Sequence, residues 1–204
     1  MQRRSFLKSS AVASAALVSG SMAHATVPSA REQTTAKHNF NLKYAPHFGM
    51  FKHSAGEDLL DQIQFMADVG FTAMEDNGMK GRDVSMQEKI ASKMASLGME
   101  MGVFVAHTIY WTEPNLTSGK QDKLDEFLKE VKESVEVAKR VNAKWMTVVP
   151  GHVDLRKDMG YQTRNVVEAL RRASDILEPH KLTMVLEPLN FMNHPGLFLK
   201  KIPQ

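Results

Sequence analysis

The chain has 204 residues, 43% of them hydrophobic and 24% charged, which suits one domain with a packed core and excludes a fibrous or disordered protein. Its formal charge of +3 rests on Arg3, Arg4 and Lys8: the first 25 positions hold no acid, so the remainder carries 23 basic and 23 acidic residues and makes no electrostatic case for a nucleic-acid partner. There is no cysteine, which rules out disulfides and thiolate metal sites and leaves oxygen and imidazole ligands available.

In chain order, the first element is a targeting segment. Gln2-Arg3-Arg4-Ser5-Phe6-Leu7-Lys8, an Ala/Ser/Val run from Ala11 to Val18 and the small-x-small site Ala23-His24-Ala25 resemble a bacterial twin-arginine export signal. The run is too short and too polar to span a bilayer. The expected mature start is therefore Thr26, the compartment is the periplasm, and the mature chain is not membrane-bound. Residues 26–40 are polar and aperiodic and read as a linker.

From residue 41 onward, strand-like and helix-like patterns alternate. Runs suited to buried strands are Leu42–Pro46, Phe71–Glu75, Glu100–Ala106, Trp145–Val149 and Leu182–Glu187. Between them the periodicity predicts helices over Asp58–Val69, Ser85–Leu97, about Lys120–Val141 and about Tyr161–Leu177, the first two stopped by Gly70 and Gly98. Ser85-Met86-Gln87-Glu88 has the spacing of a capping box. Leu124, Leu128, Val131, Val135 and Ala138 form one apolar face, with the Lys/Glu run of residues 120–139 on the solvated face opposite.

Strand followed by helix, repeated without hairpin signals, implies parallel strands joined by right-handed crossovers. Doubly wound sheets and eight-stranded barrels both begin this way. Ala45-Pro46-His47-Phe48-Gly49-Met50 lacks the Gly-rich turn of a nucleotide-binding sheet, and no Walker sequence occurs, which favours the α/β (β/α)8 barrel. Both architectures bind ligands at the C-terminal ends of the strands. Those positions hold His47, Glu75 with Asp76, His107, His152 and Glu187. Glu187 stands out, because an acid at the tip of a buried strand loses solvation and is relieved by a cation or a hydrogen-bonded substrate.

Leu186-Glu187-Pro188-Leu189-Asn190, followed by Pro195-Gly196, resembles the fifth-strand motif of the xylose isomerase-like barrel superfamily, notably hydroxypyruvate isomerases and ketose 3-epimerases. Gly70-Phe71-Thr72-Ala73-Met74-Glu75 resembles its second strand and Val148-Val149-Pro150-Gly151 its fourth. The resemblance runs from about Leu42 to the C-terminus. It implies a barrel holding one divalent ion, Mg²⁺ or Mn²⁺, with Glu187 as metal ligand and proton carrier. Glu75, His107, His152 and Asn190 are then substrate-binding residues, the substrate being a small sugar or hydroxy-keto acid. Asn193 stands where similar proteins often carry an acid.

The resemblance also places three further ligands on strands six to eight. Only five strand-helix units are legible here, over about 165 residues, and three more need on the order of 100. The expectation is thus the N-terminal part (41–204) of a longer isomerase, poorly folded and inactive by itself, its oligomeric state left open. A non-catalytic exported carbohydrate-binding protein on the same scaffold is the alternative. A barrel endonuclease with several zinc ions is disfavoured by the neutral mature charge and the export signal.

Overall fold

The structure, a computed structural model, describes residues 37–202; the export signal and most of the expected linker lie outside these residues. Its regular elements are α1 (Lys52–Ala55), α2 (Leu59–Val69), β1 (Ala73–Met74), α3 (Val84–Ser96), β2 (Glu100–Met101), α4 (Gln121–Val141), β3 (Trp145–Val148), α5 (Met159–Leu177) and β4 (Thr183–Leu186). Every strand pairing is parallel: Ala73 with Glu100 and Met74 with Met101, then Trp145 through Val148 with Thr183 through Leu186. Single parallel bridges, His47 to Glu75 and Val105 to Thr147, join the first strand-like segment to β1 and the extension of β2 to β3. Neighbouring segments in the ladder are therefore consecutive in the chain, the order expected of a barrel wall rather than of a doubly wound sheet.

The helices form where the periodicity places them, and local chemistry sets their ends. Asp58 caps α2, its Oδ1 accepting from the N–H groups of Leu60 and Asp61 at 2.8 and 3.1 Å. Asp158 caps α5 in the same way. Gly70 ends α2 with φ of 111°, and a Cβ there would lie 2.0 Å from the His38 carbonyl oxygen, so only glycine fits. The capping box of Ser85 and Glu88 is not formed: Asp83 is the N-cap, Val84 already lies within α3, and no side chain caps it. The capping position thus lies two residues before Ser85, which falls inside the first turn of α3.

The core lies between the strands and the inward faces of the helices. Ile63 and Met66 of α2, Ile90 and Met94 of α3, Val131 and Val135 of α4, and Ala169 and Ala173 of α5 pack against Met74, Met101, Met146 and Val148. Ser134 lies on the buried face of α4 and donates to the Ala106 carbonyl at 2.6 Å, so its hydroxyl is satisfied there.

Three expectations change. Leu42–Pro46 is not a buried strand: Leu42 and Tyr44 are exposed, and the segment is held by the ion pair of Lys43 with Glu100. The end of the expected linker is docked, with His38 N–H donating to the Val69 carbonyl at 2.9 Å and Phe40 stacked on Phe71 at 4.8 Å. Strand β4 is also largely exposed, because among the described residues only β3 pairs with it. None of the helices among these residues is long and apolar enough to cross a membrane.

Candidate active site at the strand ends

Two carboxylates, Glu75 and Glu187, stand at the C-terminal ends of β1 and β4. Glu75 follows β1, half-buried, with its N–H donating to the Pro46 carbonyl at 3.0 Å. Burial pushes its carboxyl above the usual range; the His47 imidazole opposes that rise and the Glu187 carboxylate adds to it. Glu187 follows β4, exposed at the rim, and its N–H extends the ladder to the Val148 carbonyl at 3.3 Å. Parallel pairing thus gathers residues 47, 75 and 187 on one edge of the sheet although the chain separates the outer two widely. A half-buried acid and an exposed carboxylate on one edge give the two different environments that proton transfer uses.

The other candidates are engaged within the fold. Asp76 is 4% exposed; it accepts from Arg82 Nε and Nη2 at 2.5 and 3.1 Å and from the Gly78 N–H at 3.0 Å, so it is a structural anchor. His107 is likewise buried. Its Nδ1 lies 2.8 Å from the Thr108 carbonyl, which makes it the protonated nitrogen, and Nε2 accepts from the Val149 N–H at 3.2 Å. Burial pulls its pKa down to about 4, fixing a neutral ring. Neither nitrogen is presented to a substrate, and His107 instead ties the end of one strand to the end of the next.

His152 is covered by the loop that follows Glu187. It bridges to Leu197, the Val153 N–H donates to the Gly196 carbonyl at 2.8 Å, and Nδ1 donates to the Val153 carbonyl at 2.7 Å. Gly196 lies so close that a Cβ would stand 1.9 Å from His152 Nε2. Asn190 serves the same loop: its Oδ1 accepts from the Asn193 N–H at 2.9 Å and its carbonyl from the His194 N–H at 3.0 Å, closing a turn. Asn193 stands in this turn, exposed.

Sequence reasoning passed over Trp111 and His194, whose rings pack 5.3 Å apart across two loops at the rim. Exposed Phe191 and Met192 belong to the same loop as His194. The signal available was the aromatic and Met content of residues 191–194 directly after the strand-tip acid.

The implied divalent ion does not fit the described residues as they stand. Among them no group of three or more His, Cys, Asp or Glu side chains could hold a metal ion. Glu187 is a hard oxygen donor suited to such an ion, but the described residues gather no further two such side chains with it.

Consecutive parallel strands, helices returning between them and carboxylates at the strand C-termini define the class of (β/α)-barrel proteins. Within that class, the family model described as xylose isomerase-like TIM barrel matches residues 63–201, and the chain belongs to that family. No curated protein matches the chain. Among solved structures, the chain is similar to an AP endonuclease, family 2, from Brucella melitensis, with 22% identity and a TM-score of 0.63 over 77% of this chain and 59% of that one. It is similar also to D-psicose 3-epimerase from Clostridium cellulolyticum H10, solved with D-tagatose, at 15% identity and TM-score 0.59 over 76% and 55%. A third is the IOLI protein with a binding zinc atom, at 16% identity and TM-score 0.57 over 78% and 54%. At these identities the likeness shows the fold, and the chain spans between 54% and 59% of the length of these three.

Proposed function

We propose that the protein is a sugar isomerase or epimerase that moves a proton at the carbon beside a carbonyl in a small sugar or hydroxy-keto acid, hydroxypyruvate isomerase-like in substrate size. The observation that carries this reading is the placement of Glu75 and Glu187 on the same edge of the sheet, each directly after the C-terminal end of a parallel strand. A hydroxyl-bearing carbon next to a carbonyl gives up its proton to a carboxylate base, leaving an enediolate and the protonated acid. Return of the proton to the neighbouring carbon, with the hydroxyl proton passing to the former carbonyl oxygen, gives the isomer, and delivery of a proton from an acid on the opposite face gives the epimer. Glu187, exposed, is the carboxylate that takes the proton. Glu75 stands at the same edge and accepts a hydrogen bond from a substrate hydroxyl. The xylose isomerase-like family and the D-psicose 3-epimerase likeness support the substrate class. No step is assigned to a metal ion. Export by the twin-arginine route belongs to the same proposal, resting on Arg3-Arg4 and Ala23-His24-Ala25.

The test is proton exchange. Incubated in D₂O with D-tagatose or hydroxypyruvate, the protein should place deuterium on the carbon beside the carbonyl faster than buffer does. Glu187→Gln should lower that rate by ~100-fold or more, the range of general-base catalysis.

Asn193, exposed where similar proteins often carry an acid, favours a second reading, a carbohydrate-binding accessory protein on the same scaffold. Saturable D-tagatose binding without any deuterium incorporation would replace the first reading by this one.

A further inference from the structure

Asn77-Gly78 comes directly after Glu75 and Asp76 at the end of β1, and nowhere else in the chain does an asparagine precede a glycine. The pair is chemically reactive, because a glycine nitrogen, with no side chain beside it, is the main-chain nitrogen that reaches an asparagine Cγ most readily. The structure leaves the asparagine free to react. Asn77 is exposed within a turn, and no hydrogen bond among the described residues holds its side-chain amide. An open cavity of about 390 Å³ lies against Asn77 and Gly78, so water reaches both. Nor does the backbone require the glycine: φ of −88° and ψ of 0° suit most residues at the end of such a turn, and a Cβ would meet Asp76 Oδ1 at 3.4 Å, an ordinary contact.

The nucleophile, by contrast, is restrained. The Gly78 N–H donates to Asp76 Oδ1 at 3.0 Å, and Asp76 is itself buried and fixed by Arg82. That nitrogen attacks only after losing its proton, and a carboxylate in contact with it disfavours a second negative charge. The hydrogen bond also aims the N–H at Asp76 and away from its own loss to solvent.

We propose that Asn77 is a modification site, converted spontaneously to aspartate and isoaspartate at a rate set in the folded chain by the hydrogen bond from Gly78 to Asp76. The deprotonated Gly78 nitrogen attacks Asn77 Cγ; the N–Cγ bond forms, the Cγ–Nδ2 bond breaks, and the leaving nitrogen takes up protons from water and departs as ammonia. Water then opens the succinimide ring. Opening at Cγ gives aspartate, and opening at the main-chain carbonyl gives isoaspartate, in which the chain runs through Cβ. Either product adds a carboxylate close to Glu75, and isoaspartate also lengthens the main chain by a carbon where it leaves β1. On the isomerase reading this charge falls at the edge where substrate binds; the modification itself does not depend on that reading.

Peptide mapping by mass spectrometry, after incubation of the full chain for some weeks at pH 8, tests the proposal, with isoaspartyl methyltransferase labelling to count the isoaspartate. In guanidinium chloride, where the bond to Asp76 is lost, Asn77 should convert several-fold faster than Asn193, which precedes His194. The folded chain should convert Asn77 several-fold more slowly than the denatured one. Asp76→Ala should raise the folded rate several-fold, circular dichroism confirming the fold; where the alanine variant does not fold, Asp76→Asn, equal in size and without the charge, takes its place. Gly78→Ala should slow conversion several-fold in denaturant and leave the native circular dichroism unchanged. The proposal is overturned if Asn77 converts no faster than Asn193 in denaturant, if the folded chain converts as fast as the denatured one, or if the folded Asp76 variant converts no faster than the native chain.

Discussion

Protonating His107 would place a cation between the end of one strand and the end of the next, where Nε2 already accepts the Val149 N–H. The burial that pulls its pKa down to about 4 makes the consequence directional. Above about pH 6.5 the ring is neutral in folded and unfolded chains alike and its full contribution is present. As pH falls from there toward 4, the unfolded chain takes up the proton while the folded one does not, so stability falls; below 4 the loss levels off. A depression of this size corresponds to on the order of 3 kcal/mol. Urea midpoints measured at pH 7 and at pH 4.5 should show that loss in the native chain. The same pair of measurements on His107→Asn should show a smaller pH dependence, even though the variant starts less stable. An equal pH dependence in both would remove His107 from the account.

At the scale of elements, helix existence was legible and helix chemistry only partly so. Asp58 before an apolar period read correctly as the start of α2, because an N-cap bond reaches only two or three residues and needs nothing from the rest of the fold. Ser85 and Glu88 carried an equally local pattern, yet α3 starts earlier, with Asp83 as its N-cap, and leaves the pattern unused. The strand ends divide in the same way. Glu75 and Glu187 were readable as acids after apolar runs, and pairing brings them into electrostatic reach of one another. His107, His152 and Asn190 read identically as polar residues at strand ends, but their roles depend on partners a sequence pattern does not reveal, such as Val149, 42 positions from His107. The two kinds of cap give a sharp test. Asp58→Ala and Asp158→Ala should each lower stability by about 1 kcal/mol. Ser85→Ala, which removes no cap bond, should stay within about 0.5 kcal/mol. Chemical denaturation of the three variants measures both; a loss at Ser85 as large as that at Asp58 would restore the capping box.

At the scale of the whole molecule, the ladder of parallel strands has an uncovered side at β4. Val185 and Leu186 are 38% and 40% exposed there, although a Thr-Met-Val-Leu strand has the composition of a buried one. Among the described residues β4 hydrogen-bonds only to β3, so its outer N–H and C=O groups and its apolar side chains present a template to any other strand that approaches. Folded proteins protect such edges with charge, proline or a covering element, and here Pro188 comes only after the strand has ended. The 204-residue polypeptide by itself should therefore associate through this edge. Light scattering should report species larger than a monomer, growing with protein concentration, together with binding of a dye that senses exposed apolar surface. A lysine at the edge opposes strand addition by charge and by its hydrated ammonium, and position 185 is exposed enough to accept one. Val185→Lys should lower the associated fraction several-fold at equal concentration while the far-ultraviolet circular dichroism stays the same. If Val185→Lys and Leu186→Lys both left the scattering unchanged, association would have to arise elsewhere, and the exposed Phe191 and Met192 of the loop beyond β4 would be the next surface to charge.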